Sequence, residues 1–203
     1  MTKKNILKVA TQQFAKLGYD GLSMNKLASK LDVNKATIYY HFKDKQSLYL
    51  EVVTNLITIK RKETENIINS DTNPKTKFRQ YINLYVEAIV ENPEIVPLSL
   101  REMANFGNNV KSGIEKDFED ELKYIRALVD ELDLKEKYKQ MDLYELKSLI
   151  MGTINSYYVM QNSQLNIEGL KDLDNDDEKI LAYISDFISN ILLDALCKEQ
   201  PNN

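Results

Sequence analysis

The 203-residue chain has one histidine, one cysteine and no tryptophan, with only six glycines and four prolines. Cys197 alone can form neither an intrachain disulfide nor a cysteine-based metal cluster. The only histidine, His41, lies near the N-terminus in a basic, helix-like segment, which removes histidine metal sites, Ser-His triads and histidine-ligated haem from consideration. There is no run of eighteen apolar residues to cross a bilayer as a helix. The opening MTKKNILKVATQQFAKLG lacks the apolar core and small-residue cleavage site of a secretory signal. No alternating Val/Ile/Thr run bounded by turns suggests a strand. Gly-rich phosphate loops and nucleophile elbows are missing, and the Asp/Glu pairs sit at surface-helix spacing, so a small helical enzyme finds no support. These absences predict an all-α, cytoplasmic protein without membrane association, catalytic residues, metal or cofactor.

What the chain does have is concentrated at its start. Residues 22–45, LSMNKLASKLDVNKATIYYHFKDK, read as two short helices joined by a turn. Ser23 is a good N-cap for a helix from Met24 to Leu31, whose Leu27, Ala28 and Leu31 recur on one face. After a turn at Asp32–Asn34, Asn34 can cap a second helix, Lys35 to about Phe42. Ile38 and Phe42 point inward, leaving Lys35, Thr37, Tyr39, Tyr40 and His41 for a partner. Two helices so joined form the motif whose second helix enters a DNA major groove. Charge agrees: residues 1–50 hold nine lysines against three acids, net +6, whereas the remaining 153 residues carry 18 basic and 28 acidic side chains, net −10. A basic head on an acidic body fits a phosphate-neutralising module joined to a domain with another task.

Further helices follow from periodicity and caps. Lys3–Leu17 places Ile6, Leu7, Ala10, Phe14 and Leu17 on one face and stops at Gly18. Asp44 can cap one long helix to about Asn69, a natural lever between head and body. Asn73-Pro74 starts a helix ending near Asn92, and another begins at Pro93 or Pro97 and stops at Gly107. Helices are also expected over 110–132, 142–165 and 177–197. Acids between Asp172 and Asp177 lack the glycine and terminal glutamate of a calcium loop and read as a solvated helix start. The expected architecture is an N-terminal three-helix domain over 1–50, with its helix-turn-helix at 23–42, and a larger helical effector and dimerisation domain over 51–203. Tyr81, Tyr85, Met103, Phe106, Phe118, Ile125, Met151, Asn155 and Tyr158 mix adaptable, aromatic and polar side chains that suit a ligand pocket. Core packing explains most of them equally well. Arg101 and Glu102 read as a surface salt bridge or as ligand contacts.

The run ILKVATQQFAKLGYDGLSMNKLASKLDVNKATIYYHFKDKQSLY resembles the TetR family of bacterial transcriptional regulators. It shares Phe-x-x-x-Gly-Tyr ending the first helix, Ser-Met before the second, and Thr-x-Tyr-Tyr-His-Phe-x-x-Lys at the recognition helix. Two residues depart from the family pattern. Asp32 stands where the turn usually has glycine, and aspartate accepts a left-handed backbone better than most residues. Ala36 stands where glycine is frequent and should firm the recognition helix. The resemblance implies base or groove contacts from Asn25, Lys35, Ala36, Thr37 and Tyr39, and phosphate contacts from Tyr40, His41 and Lys45. It also implies a homodimer in which the last two helices of each subunit form a four-helix bundle. The apolar face with Tyr183, Ile184, Phe187, Ile188 and Ile191 is then the dimer interface, unless it is the subunit's own core. The expected function is a repressor that binds a pseudo-palindromic double-stranded operator and is released by a small-molecule effector. An architectural DNA binder without effector is the alternative.

Overall fold

The structure is a computed structural model that describes residues 1–110, 113–165, 168, 173 and 176–198. The described residues form an all-α chain: α1 (Lys3–Gly21), α2 (Met24–Leu31), α3 (Lys35–His41), α4 (Lys45–Ile57), α5 (Arg61–Ile68), α6 (Pro74–Glu91), α7 (Ile95–Ala104), α8 (Glu115–Asp130), α9 (Leu143–Gln161) and α10 (Asp177–Leu196). Their only β-type pairing is an isolated bridge between Leu134 and Cys197. Of the acidic stretch Asp172–Asp177, read above as a solvated helix start, residues 172, 174 and 175 lie outside the described residues, and Asp176 caps α10 by accepting the Lys179 amide at 3.2 Å.

Two compact units divide the chain. The first contains residues 1–59 and 92–118. Its core joins Ile6, Ala10 and Phe14 of α1 to Leu27, Ile38, Leu48, Tyr49 and Val52, and also to Leu98, Val110 and Ile114. Burial of these side chains is the main force holding α1–α4 and α7 together. Helix α1 continues past its expected end: it kinks at Gly18, whose φ of 73° and ψ of 173° suit only glycine, and runs on to Gly21. In α7, Pro97 is tolerated because it falls in the first turn, where its missing N–H has no intrahelical partner to lose. The expected helix over 110–132 begins only at Glu115, because 107–113 carries two glycines and two asparagines that favour turns.

The long helix expected from Asp44 to Asn69 is two helices. Helix α4 ends at Ile57, and the Thr58 hydroxyl donates to the Thr54 carbonyl at 2.9 Å. The β-branched run Ile57-Thr58-Ile59 lowers helix propensity, and the threonine hydroxyl competes for the backbone acceptor. The first unit ends at Ile59, within this interruption.

The second unit contains residues 60–91 and 119–203. In it α6 packs on α9 and α10, burying Phe78, Tyr81, Ile82 and Ile89 with Ile150, Ile154, Ile180, Ile184 and Ile188. Ile184 and Ile188, expected at a dimer interface, therefore fill their own chain's core. Phe187 and Ile191, a helical step round α10, remain 48% and 47% exposed.

Candidate nucleic-acid interface

The helix-turn-helix is held by the capping residues its sequence suggests. Ser23 Oγ accepts the Lys26 amide at 3.1 Å and opens α2. Asp32 ends α2 in the left-handed conformation, φ 53° and ψ 48°, while Val33 N–H donates to the Ala28 carbonyl at 3.0 Å. Aspartate thus does what glycine does elsewhere. Asn34 Oδ1 accepts the Ala36 amide at 2.9 Å and starts α3. With Ile38 and Phe42 buried, the outer face of α3 presents Lys35, Ala36 and Tyr39 to solvent, with Tyr40 85% exposed. Thr37 and His41 are half-buried at its edges, and Asn25 is exposed in the first turn of α2.

Several of these side chains are oriented by neighbours. Lys35 Nζ lies 5.4 Å from the centroid of Tyr39, four residues on. The Tyr40 and His41 rings meet edge to face at 5.0 Å. In the first turn of α4, Lys45 Nζ sits 4.1 Å from the Tyr19 ring centroid, and burial pushes its ammonium below the ordinary lysine value. Asp44 caps α4 by accepting the Ser47 amide at 2.7 Å, a bond that holds its carboxyl below the usual carboxylate range. The face can therefore offer donors to bases and phosphates from a preformed scaffold.

Sequence reasoning missed the polar contacts behind this face. Among the described residues neither Arg101 nor Glu102 forms the expected surface salt bridge. Arg101 donates to the carbonyls of Ala15 and Lys16, and Glu102 accepts the Tyr49 hydroxyl at 2.5 Å. Separations of 53 to 86 residues leave no local signal of such pairing.

The residues expected in a ligand pocket are dispersed. Met103, Phe106 and Phe118 belong to the first unit, and Met103 and Phe106 are 61% and 91% exposed. In the second unit Tyr81, Ile125 and Asn155 are buried, with Tyr85, Met151 and Tyr158 half-buried. Tyr85 donates to Asn155 Oδ1 at 2.7 Å and Tyr158 to Asp177 Oδ2 at 3.0 Å. Nearby in this unit, buried Lys147 and Glu121 approach to 3.8 Å. Burial, followed by the charge of Glu121, raises the Tyr81 hydroxyl well above its ordinary value.

Also in the second unit, an open groove of about 850 Å³ runs along the outer face of α9, lined by Glu145, Ser148, Leu149, Gly152, Thr153, Ser156, Tyr157 and Met160. Ser148, Gly152 and Ser156 recur every four residues, and space around Gly152 is open. Tyr157, Tyr183 and Phe187 continue the surface as successive ring contacts of 5.9 and 6.3 Å.

A capped helix-turn-helix in an all-α chain, with a basic head, defines a helix-turn-helix transcriptional regulator. The chain belongs to the TetR family: residues 6–52 match the family model described as bacterial regulatory proteins, tetR family. It is 30% identical over 133 residues to the uncharacterized HTH-type transcriptional regulator YhgD of Bacillus subtilis, covering 64% of this chain and 68% of that one. It is 24% identical over 169 residues to IcaR of Staphylococcus aureus, the biofilm operon icaADBC HTH-type negative transcriptional regulator, covering 77% and 82%. Among solved structures it resembles the transcriptional regulator FadR of Bacillus subtilis in complex with stearoyl-CoA, with a TM-score of 0.72, 16% identity, and 96% and 99% of the two chains covered. The ketosteroid transcriptional regulator KstR2 of Mycobacterium tuberculosis gives a TM-score of 0.68 at 16% identity, covering 97% and 95%. At those identities the structural likeness concerns the fold.

Proposed function

We propose that this regulator is a homodimeric repressor that binds a pseudo-palindromic operator through α3 and releases it when a small molecule binds the second unit. The observation that carries the DNA reading is α3 itself. Its inner face is fixed by Ile38 and Phe42, while Lys35, Ala36, Tyr39 and Tyr40 are exposed on the outer face. Lys35 would donate to guanine, Thr37 and Ala36 would meet a thymine methyl, and Asn25 would pair with adenine. Tyr40, His41 and Lys45 would hold phosphates.

The dimer reading is supported by exposed Leu149, Phe187 and Ile191 and by the small-residue groove of α9, which admits a close second helix. A two-fold dimer spaces two recognition helices by about 34–36 Å or a multiple, which makes the operator pseudo-palindromic. Tyr81, Tyr85, Ile125, Met151, Asn155 and Tyr158 remain the residues assigned to an effector, their polar tips giving it orientation within apolar helices. Selection of duplexes from a randomised library, followed by affinity measurement with and without small molecules that raise the melting temperature, tests the reading. A selected inverted repeat that loses affinity on ligand addition supports it. Selective binding that no stabilising ligand alters would favour an architectural DNA binder.

A further inference from the structure

We propose that Arg101 and Glu102, adjacent at the end of α7, are positioning residues for DNA recognition. They clamp α1 to α4 and so set the angle at which α3 is presented. The inference rests on the DNA-binding reading above and assigns it two residues outside the helix-turn-helix.

Arg101 Nε and Nη2 donate to the carbonyls of Ala15 and Lys16, each at 3.3 Å. These carbonyls lie just before the kink at Gly18, where a helix leaves acceptors without intrahelical partners and where its dipole favours a cation. A Cβ at Gly18 would stand 3.3 Å from Arg101 Nη1, so the guanidinium is seated closely against the kink.

Glu102 grips the other helix. Its Oε1 accepts the Tyr49 hydroxyl at 2.5 Å and Asn109 Nδ2 at 3.0 Å. The Asn109 carbonyl accepts Gln46 Nε2 at 2.5 Å, and Gln46 Oε1 accepts the Tyr19 hydroxyl at 2.9 Å. The Tyr49 ring in turn meets Phe14 at 4.7 Å and Tyr19 at 5.0 Å, edge to face. The same Tyr19 ring carries Lys45.

The attachment points bracket the reading head in the chain. Ala15 and Lys16 precede the turn into α2, and Gln46 and Tyr49 follow the turn out of α3. A base contact requires its side chain to be placed within about 0.5 Å, so supports at both covalent connections decide whether α3 meets base edges or only phosphates. Glu102 Oε2 is buried with no hydrogen-bond partner, an expensive arrangement if stability were the only use of the residue. A carboxylate kept in such a place fits a role in fixing geometry.

Tyr49→Phe removes the hydroxyl while keeping the ring, and Arg101→Lys keeps the charge while removing the fork. Each is measured against the duplex that the wild-type protein selects from a randomised library and against random duplex of equal length, with circular dichroism to confirm the fold. Each variant should lose about tenfold in affinity for the selected duplex. Affinity for random duplex should stay within about twofold, with an unchanged salt slope. Equal losses on both duplexes, or a lower melting temperature with an unchanged selected-to-random ratio, would reduce the clamp to a stability brace and overturn the proposal. Should one variant fail to fold, the other decides. A wild-type protein that selects no duplex would defeat the DNA-binding reading itself, a result distinct from any behaviour of the variants.

Discussion

Lys45 Nζ lies 4.1 Å from the centre of the Tyr19 ring, so the ammonium proposed to meet a phosphate is held in place before DNA arrives. A cation resting on an aromatic face loses less side-chain freedom on binding than one waving in water. Lys45→Ala should weaken binding to every sequence and flatten the logarithmic salt dependence by about one unit, the share of a single phosphate contact. Affinity titrations on selected and random duplexes across a salt series check this. A loss confined to one base position would remove Lys45 from the phosphate class.

Lys35→Ala should behave differently. Exposed on α3 and held near Tyr39, this ammonium is assigned to guanine readout, so its loss should cost about 1–3 kcal/mol on the selected duplex and relax preference at one position per half-site. Re-selection with the variant reads the outcome directly. Unchanged preference together with a uniform loss would make Lys35 a backbone contact.

At the α9–α10 surface, Phe187→Asp or Ile191→Asp should give folded monomers, because both side chains are nearly half exposed on the single chain. Ile188→Asp should instead unfold the protein, since it would bury a carboxylate among apolar side chains. Sedimentation at micromolar concentration separates the two results. A wild-type monomer under those conditions would refute the dimer.

Alkaline pH offers a test inside the second unit. Burial, then the hydrogen bond to Asp177, pushes the Tyr158 hydroxyl up from 10 to about 12. The folded state therefore holds this proton more tightly than the unfolded state does. Its contribution is fully present below pH 10 and is lost as pH rises from 10 towards 12. Tyr124, raised to about 12 by burial and Glu65, acts in the same window and the same direction. Tyr158→Phe should flatten the fall in urea midpoint between pH 10 and 12, and an identical slope in wild type and variant would exclude the contribution.

Local chemistry made the helix starts legible. Ser23, Asn34, Asp44 and Asn73 announce themselves because a short polar side chain just ahead of a helical pattern can accept a first-turn amide. The outer face of α3 was readable for a related reason: once Ile38 and Phe42 turn inward, helical geometry leaves Lys35, Tyr39 and Tyr40 outside. The interruption after Ile57 was harder to see, since β-branched residues weaken a helix without forbidding it. The apolar breadth of α10 was evident, but periodicity cannot say which of two apolar flanks meets its own chain. Ile184 and Ile188 turned inward, and Phe187 and Ile191 outward. Arg101 and Glu102 were opaque because Ala15, Lys16 and Tyr49, which they hold, are remote in sequence.

The two-segment make-up of the first unit has a consequence for recombination. Leu98, Val110 and Ile114 belong to the same core as Phe14 and Tyr49, although more than thirty residues of another unit intervene between Ile59 and Asn92. A cut after residue 50 or 59 would not release a self-contained reading head; it would strip one wall from the core and leave Phe14 and Tyr49 facing water on that side. Exchange of DNA specificity between relatives by swapping N-terminal fragments would thus place a foreign α1 and α4 against the host's α7. The seam that limits such chimaeras is this packed surface, not the peptide bond at which the fragments are joined.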